Sequence, residues 1–225
     1  MAVYKQILIL FALFSLRPQA GAVEILVSQP SGETRGLVVI APAKKYLMHE
    51  RLFETLANAL TKEGYVAFRF NWSKDTLRDP HLEMQRASSD MLEAIKIAQQ
   101  RTGFHANRTV LISKSFSTKV IHPSLIYAQT HILLTPNCSA EAPFQKVYSE
   151  VLSFAGLRVK IYLSEKDPYC DVDHVRQALR HMSKSSALVV TQGDHNFVEM
   201  KGEFKKSFQP QDDVIRSITK EVRSL

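Results

Sequence analysis

The chain contains little cysteine, glycine or proline, and these shortages exclude several classes of protein. Only two of its 225 residues are cysteine, too few for a disulfide scaffold or a four-ligand zinc site. Eight glycines and nine prolines exclude a collagen-like or low-complexity chain. Hydrophobic residues make up 45% and charged residues 23%, which is typical of a folded globular protein. The length fits one large α/β domain.

A dense run of basic residues is also missing, although the formal net charge is +7. Lys5 and Arg17 account for two of these charges, so the chain from residue 23 onward carries +5. We rank a nucleic-acid partner third among the functions because this excess is mild and dispersed. The histidines show no ligand spacing, so we expect no metal, and we expect no cofactor. The sequence does not indicate an oligomeric state.

The N-terminal segment predicts an export signal. Lys5 precedes the apolar run 7–16, and Ala20 and Ala22 are small residues at the two positions that signal peptidase recognises before its cleavage site. An apolar run of this length is too short to cross a hydrocarbon layer of about 30 Å, so we expect no membrane span once the signal is removed. A buried N-terminal helix is the alternative. Export predicts a secreted or periplasmic protein.

Cleavage between Ala22 and Val23 would separate a signal peptide, residues 1–22, from a single domain, residues 23–225. In this domain, short apolar segments rich in β-formers alternate with segments of helical period. The predicted strands are residues 24–27, 36–41, 66–70, 109–113, 132–135, 159–163 and 187–191. The predicted helices lie around residues 52–60, 91–98, 172–182 and 214–222. This alternation predicts an α/β fold, with a mostly parallel, doubly wound sheet flanked by helices.

A serine-rich turn follows the fourth predicted strand, with Ser113, Ser115 and Ser117 at alternate positions. A sharp strand-to-helix turn can project a serine hydroxyl above the sheet, and its usual pattern is Gly-x-Ser-x-Gly. Serine replaces both glycines here. Ser115 is the candidate nucleophile because it lies at the centre of the turn, and an ordinary serine-rich loop is the alternative.

An aspartate and a histidine follow two later strands. Asp167 begins the loop after the sixth predicted strand, and His195 lies in the loop after the seventh. Taken alone, Asp167-Pro168 is typical turn chemistry and a loop histidine is typically solvated. Together with Ser115, however, they occur in the order Ser, Asp, His, each at the carboxyl end of a strand, where open parallel sheets have their working sites.

Three other acids are weaker partners for the histidine. Asp194 adjoins His195 in sequence, and neighbours in a loop rarely hydrogen-bond side chain to side chain at the required angle. Asp171 and Asp173 are typical of the first turn of a helix, and Asp171 is a plausible N-cap.

Five short segments are distributed along nearly the whole chain after residue 22. They are residues 37–43, 64–72, 113–117, 167–168 and 193–197. They resemble the small α/β-hydrolases without an inserted lid, akin to the dienelactone-hydrolase-like group. The resemblance implies an α/β-hydrolase fold and a serine hydrolase acting on a small-molecule ester, thioester or amide. In that mechanism Ser115 attacks a carbonyl, His195 removes and returns the proton, and Asp167 orients His195.

The resemblance also implies an oxyanion hole, formed by the backbone N–H of Phe116 and that of Ala43 or Lys44. Similar proteins carry glycines where this chain has Ala43-Lys44-Lys45. Lys44 would bind an anionic substrate group if it turned inward and would be solvated if it turned outward. Pro123 would interrupt the helix after the turn. These departures motivate the alternative function, a catalytically silent binding or assembly module with the same fold.

Cys138 and Cys170 lie just past two strands that we expect to be neighbours. In an oxidising compartment they could form a disulfide near Asp167. Two separate thiols are the alternative, because sequence does not give the distance between them.

Overall fold

A computed structural model describes residues 23–45, 47–138, 143–180, 186–202 and 205–225. The predicted signal peptide, residues 1–22, lies outside the described residues, and so does Met182, which we assigned to the buried face of a helix.

Seven strands form one sheet that runs through the middle of the molecule. They are β1 (Glu24–Ser28), β2 (Gly36–Ala41), β3 (Tyr65–Asn71), β4 (Thr109–Lys114), β5 (Thr130–Leu134), β6 (Arg158–Ser164) and β7 (Ser186–Thr191). Their order across the sheet is β1-β3-β2-β4-β5-β6-β7. β1 pairs antiparallel with β3, and the other neighbours pair parallel. The predicted strands and the predicted mostly parallel sheet are therefore confirmed.

Helices cover both faces of this sheet. They are α1 (Arg51–Lys62), α2 (Glu83–Thr102), α3 (Phe144–Ser153), α4 (Val172–Arg180) and α5 (Gln209–Arg223). The buried side chains of α1 and α5 pack on one face, and those of α2, α3 and α4 pack on the other. The strands between them are apolar on both faces because both faces are covered. The doubly wound architecture is confirmed.

Local sequence signals explain how two of the helices begin or end. Asp171 is the N-cap of α4, since its Oδ1 accepts bonds of 2.9 Å from the backbone N–H groups of Asp173 and His174. These bonds, that of His174 first, lower the pKa of the Asp171 carboxyl. Gly103 ends α2 with a φ of 73°, a left-handed conformation that glycine adopts readily.

Two elements of the structure were not predicted from the sequence. α3 was not predicted. Its buried aromatic residues Phe144 and Tyr148 have only moderate helix propensity, so packing stabilises this helix. A short hairpin, β8 (Glu199–Lys201) with β9 (Lys205–Ser207), was also missed.

After β4 the chain forms two 3-10 helices, Ser115–Val120 and His122–Ser124, and Pro123 lies in the second. The expected interruption by this proline is therefore present. Among the described residues, none of the helices combines the length and the apolar character that crossing a membrane requires.

Candidate active site

The carboxyl ends of β4, β6 and β7 bring the three candidate side chains together. Ser115 follows β4 directly, Asp167 lies in the loop after β6, and His195 lies in the loop after β7. Parallel pairing of β4 to β5, of β5 to β6 and of β6 to β7 puts these loops at one edge of the sheet.

The serine turn has the backbone conformation of a sharp strand-to-helix turn. Ser115 has a φ of 51°, in the left-handed region that residues other than glycine rarely adopt. Its carbonyl accepts a 2.5 Å hydrogen bond from the Thr118 hydroxyl, which lies 2.6 Å from the Tyr148 hydroxyl. Burial raises the pKa of Tyr148, so its hydroxyl stays protonated. These contacts stabilise the turn, and Ser115 itself is half-buried.

The two serines that replace the usual glycines are both buried in this turn. Ser117 Oγ accepts a 2.7 Å bond from the backbone N–H of Lys114 and lies 3.1 Å from the carbonyl oxygen of Ala41, to which it can donate. Ser113 Oγ has no hydrogen-bond partner in the described structure. Serine is therefore accommodated at both positions, with its polar group satisfied at only one of them.

Ser115, His195 and Asp167 form a continuous chain of side-chain contacts. His195 Nε2 lies 2.8 Å from Ser115 Oγ, and His195 Nδ1 lies 2.8 Å from Asp167 Oδ2. The Asp167 side chain is fully buried and that of His195 is 15% exposed. A hydroxyl, an imidazole and a carboxylate in this order can activate the oxygen as a nucleophile, because the imidazole takes its proton and the carboxylate orients the imidazole.

A tight turn positions the histidine. Gly193 has a φ of 96°, and a Cβ there would lie 2.9 Å from the backbone carbon of Phe197, so glycine is required. Asp194 Oδ1 accepts hydrogen bonds of 2.8 and 3.0 Å from the backbone N–H groups of Asn196 and Val198. Asp194 therefore organises the loop, whereas Asp167 holds the imidazole.

The loop that carries Asp167 is tied to a neighbouring strand end. A disulfide joins Cys138, just past β5, to Cys170, and their Cα atoms are 5.0 Å apart. Tyr169 donates its backbone N–H to Asp167 Oδ1 at 2.9 Å. Its ring meets the ring of His195 edge-on, with the centroids 4.7 Å apart. Asp167 and His195 thus have a common neighbour in Tyr169.

Trp72 contacts both segments that were expected to supply oxyanion donors. Its Nε1–H donates to the carbonyl oxygen of Ala43 at 3.2 Å, and its ring meets that of Phe116 edge-on at 5.5 Å. The Lys44 ammonium lies 2.5 Å from Glu83 and its side chain is 48% exposed. Of the two orientations considered for Lys44, the structure therefore has the outward one.

The sequence did not identify Trp72 or Lys114 as part of this site. Trp72 is the last residue of segment 64–72, which resembles the α/β-hydrolases and could have indicated a role for it. Its contacts with Ala43 and Phe116 cannot be read from the sequence. Lys114 lies between two of the turn serines and is completely buried. Within the part of the chain that the structure describes, no group of three or more His, Cys, Asp or Glu side chains could hold a metal ion.

Solved structures match the fold, whereas comparisons by sequence do not. No protein-family model matches the chain, and no curated protein matches it in sequence. A lid-less α/β serine hydrolase from Xanthomonas campestris matches with a TM-score of 0.69 and 15% identity, over 90% of this chain and 88% of its own. An α/β serine hydrolase homologue from Coxiella burnetii matches with a TM-score of 0.66 and 16% identity, over 91% of each chain.

A cold-adapted esterase from an Arctic intertidal metagenomic library also matches, with a TM-score of 0.62 and 14% identity, over 90% of this chain and 88% of its own. Identities this low establish the architecture and do not by themselves assign an activity. The chain has the α/β-hydrolase fold, which these solved structures share.

Proposed function

We propose that the protein is an exported serine hydrolase that cleaves a small ester or a related acyl compound. The observation that carries the proposal is the chain of two 2.8 Å contacts from Ser115 through His195 to Asp167. Each of the three residues comes from a different strand end, so local sequence does not by itself bring them together. The esterase and serine hydrolases among the similar structures support the same reaction class.

In this reaction Ser115 Oγ attacks the carbonyl carbon of the substrate while His195 Nε2 takes the hydroxyl proton. Asp167 keeps the proton of the imidazole on Nδ1 and stabilises the imidazolium that forms. The same proton then goes to the leaving group, and an acyl group remains on Ser115. Water resolves the acyl-enzyme by the reverse sequence of proton transfers, with His195 again as the base.

The negative charge on the carbonyl oxygen needs two backbone donors. We assign them to the N–H of Phe116 and to that of Ala43 or Lys44, the two segments that Trp72 contacts. Removing one such donor typically raises the barrier by about 3–4 kcal/mol. The contacts of Trp72 support this assignment because they fix both segments relative to one another.

A groove beside Asp167 is suited to a small acyl substrate. Apolar side chains of Pro143, Phe144, Pro168 and Tyr169 contribute to its lining, together with the disulfide. Tyr169 lines this groove, and its ring also meets the imidazole ring of His195 edge-on. The groove therefore adjoins the catalytic imidazole through Tyr169.

Labelling with a fluorophosphonate probe tests the reaction. We expect one covalent adduct on the peptide that contains Ser115, and none in Ser115→Ala, because only an activated serine reacts with this probe. Ser113→Ala is the matched control: it removes a hydroxyl two residues away and should leave labelling intact. A well-folded protein that is not labelled would contradict the proposal and favour the catalytically silent binding or assembly module.

Export is the second part of the proposal and rests on different residues. The apolar run 7–16 with small residues at Ala20 and Ala22 supports cleavage before Val23. The bond between Cys138 and Cys170 fits an oxidising compartment. N-terminal sequencing of protein recovered outside the cytoplasm should begin near Val23, and protein that keeps residues 1–22 would contradict export. Non-reducing mass spectrometry that found two free thiols would contradict the disulfide.

A further inference from the structure

Lys114 is a buried cation for which the proposed reaction has no use. It is the last residue of β4 and directly precedes Ser115, and its relative exposure is 0%. Lysine is almost never buried to this extent unless its ammonium is paired, because removing a charge from water is costly. The position of this lysine therefore calls for a physical reason.

The ammonium of Lys114 connects three strand ends. Its Nζ donates hydrogen bonds to Thr135 Oγ1 at 2.5 Å and to the backbone carbonyl of His195 at 2.6 Å. It also lies 5.7 Å from the centroid of the Phe197 ring. Thr135 follows β5, and His195 and Phe197 lie in the loop after β7. One side chain thus links the serine turn to the backbone of the histidine itself.

The backbone strain of the site is concentrated around the same ammonium. Among the described residues other than glycine, positive φ values occur at Ser115 (51°), Thr135 (41°) and Phe197 (58°). Lys114 precedes the first and contacts the other two. Such conformations persist only where surrounding contacts fix them, and they cluster at functional sites. The contacts of the Lys114 ammonium provide part of this restraint, at Thr135 and Phe197.

We propose that Lys114 is a positioning residue, whose ammonium holds the backbone of His195 so that the imidazole stays within proton-transfer distance of Ser115. The inference rests on the proposed function. Misplacement of a reacting group by about 1 Å can cost roughly 100-fold in rate. The bond from Lys114 to the His195 carbonyl acts on that distance without touching the substrate.

The charge on Lys114 makes this role dependent on pH. Burial lowers the pKa of Lys114 to about 7, and the nearby carboxylates of Asp167 and Asp194 partly oppose that shift. The imidazole of His195 also faces this part of the site, since the backbone carbonyl of the same residue accepts a hydrogen bond from Lys114. At lower pH Lys114 is an ammonium and its hydrogen bonds are charge-assisted, so they are stronger than those of the neutral amine at higher pH. Positioning by Lys114 therefore weakens as the pH rises through about 7.

The test compares the wild-type protein with Lys114→Met, in which methionine keeps a similar side-chain length without a donor. Hydrolysis of p-nitrophenyl acetate and the rate of fluorophosphonate labelling are measured for both. We expect kcat and the labelling rate to fall roughly 10- to 100-fold while KM changes by less than about twofold, because transition-state geometry is affected and not uniform binding. Lys166→Met, which removes an exposed charge next to Asp167 in sequence, is the matched control and should keep the wild-type rates.

The pH dependence of the two rates shows whether Lys114 positions His195 or only supports the fold. The ratio of the wild-type rate to the Lys114→Met rate should fall severalfold between about pH 6 and about pH 9, since only the wild type has the Lys114 ammonium to lose in this range. A residue that only fills space would give a ratio independent of pH.

Thr135→Val keeps the inference testable if Lys114→Met does not fold, because it removes one partner of the ammonium and retains the side-chain shape. We expect it to lower kcat less than Lys114→Met does, again with KM unchanged. Suppose that the wild type is labelled and that Lys114→Met and Thr135→Val, both folded, have the rates and the pH profile of the wild type. The inference about Lys114 is then overturned, and the proposed function stands. If the wild type itself is not labelled, the proposed function fails, and the inference fails with it.

Discussion

The serine turn after β4 and the loop after β2 both lack the glycines expected of this fold, and they accommodate the change in opposite ways. In the turn, Ser113 and Ser117 are completely buried, and Ser117 hydrogen-bonds to the backbone. In the loop, Lys44 extends outward and pairs with Glu83 at the surface. A buried serine hydroxyl depends on the protein for its hydrogen bonds, and only Ser117 finds them, whereas the exposed ammonium of Lys44 is also solvated by water.

The two regions also differ in what holds them. The turn is fixed by several buried hydrogen bonds, including those of Thr118, Ser117 and Lys114. The loop is tied to the rest of the site by the Trp72 bond to the Ala43 carbonyl, and the pairing of Lys44 is exposed to solvent. Losing a buried hydrogen bond of Ser117 in the turn should therefore lower stability, and losing the Trp72 bond to the loop should lower mainly the rate.

The largest effect is expected from Ser117→Ala in the turn. This change leaves the buried N–H of Lys114 without the acceptor that it has at 2.7 Å, which costs about 1–3 kcal/mol of unfolding free energy. Ser113→Ala makes the same chemical change at a hydroxyl without a partner and should be neutral or slightly stabilising. Urea denaturation of both variants measures the difference. Equal losses at the two positions would show that the hydrogen bonds of Ser117 do not matter.

An intermediate effect is expected from Trp72→Phe, which acts on the loop. Phenylalanine keeps an aromatic ring near Phe116 but cannot donate to the carbonyl oxygen of Ala43. We expect kcat for p-nitrophenyl acetate to fall roughly three- to tenfold, a fraction of the loss from removing an oxyanion donor outright. KM and the urea midpoint should change little. Unchanged kcat would mean that Trp72 does not position the loop.

The smallest effect is expected from Lys44→Ala. Exposed ion pairs contribute about 0–1 kcal/mol, so stability should change by less than that, and kcat for a neutral ester should stay within about twofold. Comparing a neutral ester with an anionic one sharpens the test. A large rise in KM for the anionic ester alone would show that Lys44 turns inward to bind substrate and would remove the contrast between loop and turn.

Sequence patterns were sufficient for the sheet because its signal is local. Strands covered on both faces are continuous apolar runs such as residues 37–40, and these runs became β2 and its neighbours with small errors at their ends. The helix α3 was missed although its buried residues recur at the helical spacing, at positions 144, 148, 151 and 152. The local signal for its start is weak, because Pro143 precedes it and no side chain caps its first turn.

The sequence predicted where the candidate site residues lie along the chain, but it did not predict which side chains they contact. Ser115, Asp167 and His195 could be placed at strand ends, and the Asp194 alternative could be set aside by its nearness to His195. The sequence left open whether Lys44 turns inward and whether Cys138 reaches Cys170, because both questions concern distances between distant segments. It also gave no reason to associate Lys114 with the carbonyl of His195.

The sequence by itself determined the alternation of strands and helices, the fold class and the strand ends from which the candidate residues project, since these follow from hydrophobic period and turn chemistry. The tertiary structure alone decided which neighbours those residues meet: the imidazole lies between Ser115 and Asp167, and the buried ammonium of Lys114 binds the backbone carbonyl of His195. The physical reason is that side-chain contacts depend on the order of strands across the sheet. That order is fixed by packing of the whole chain and not by any local segment.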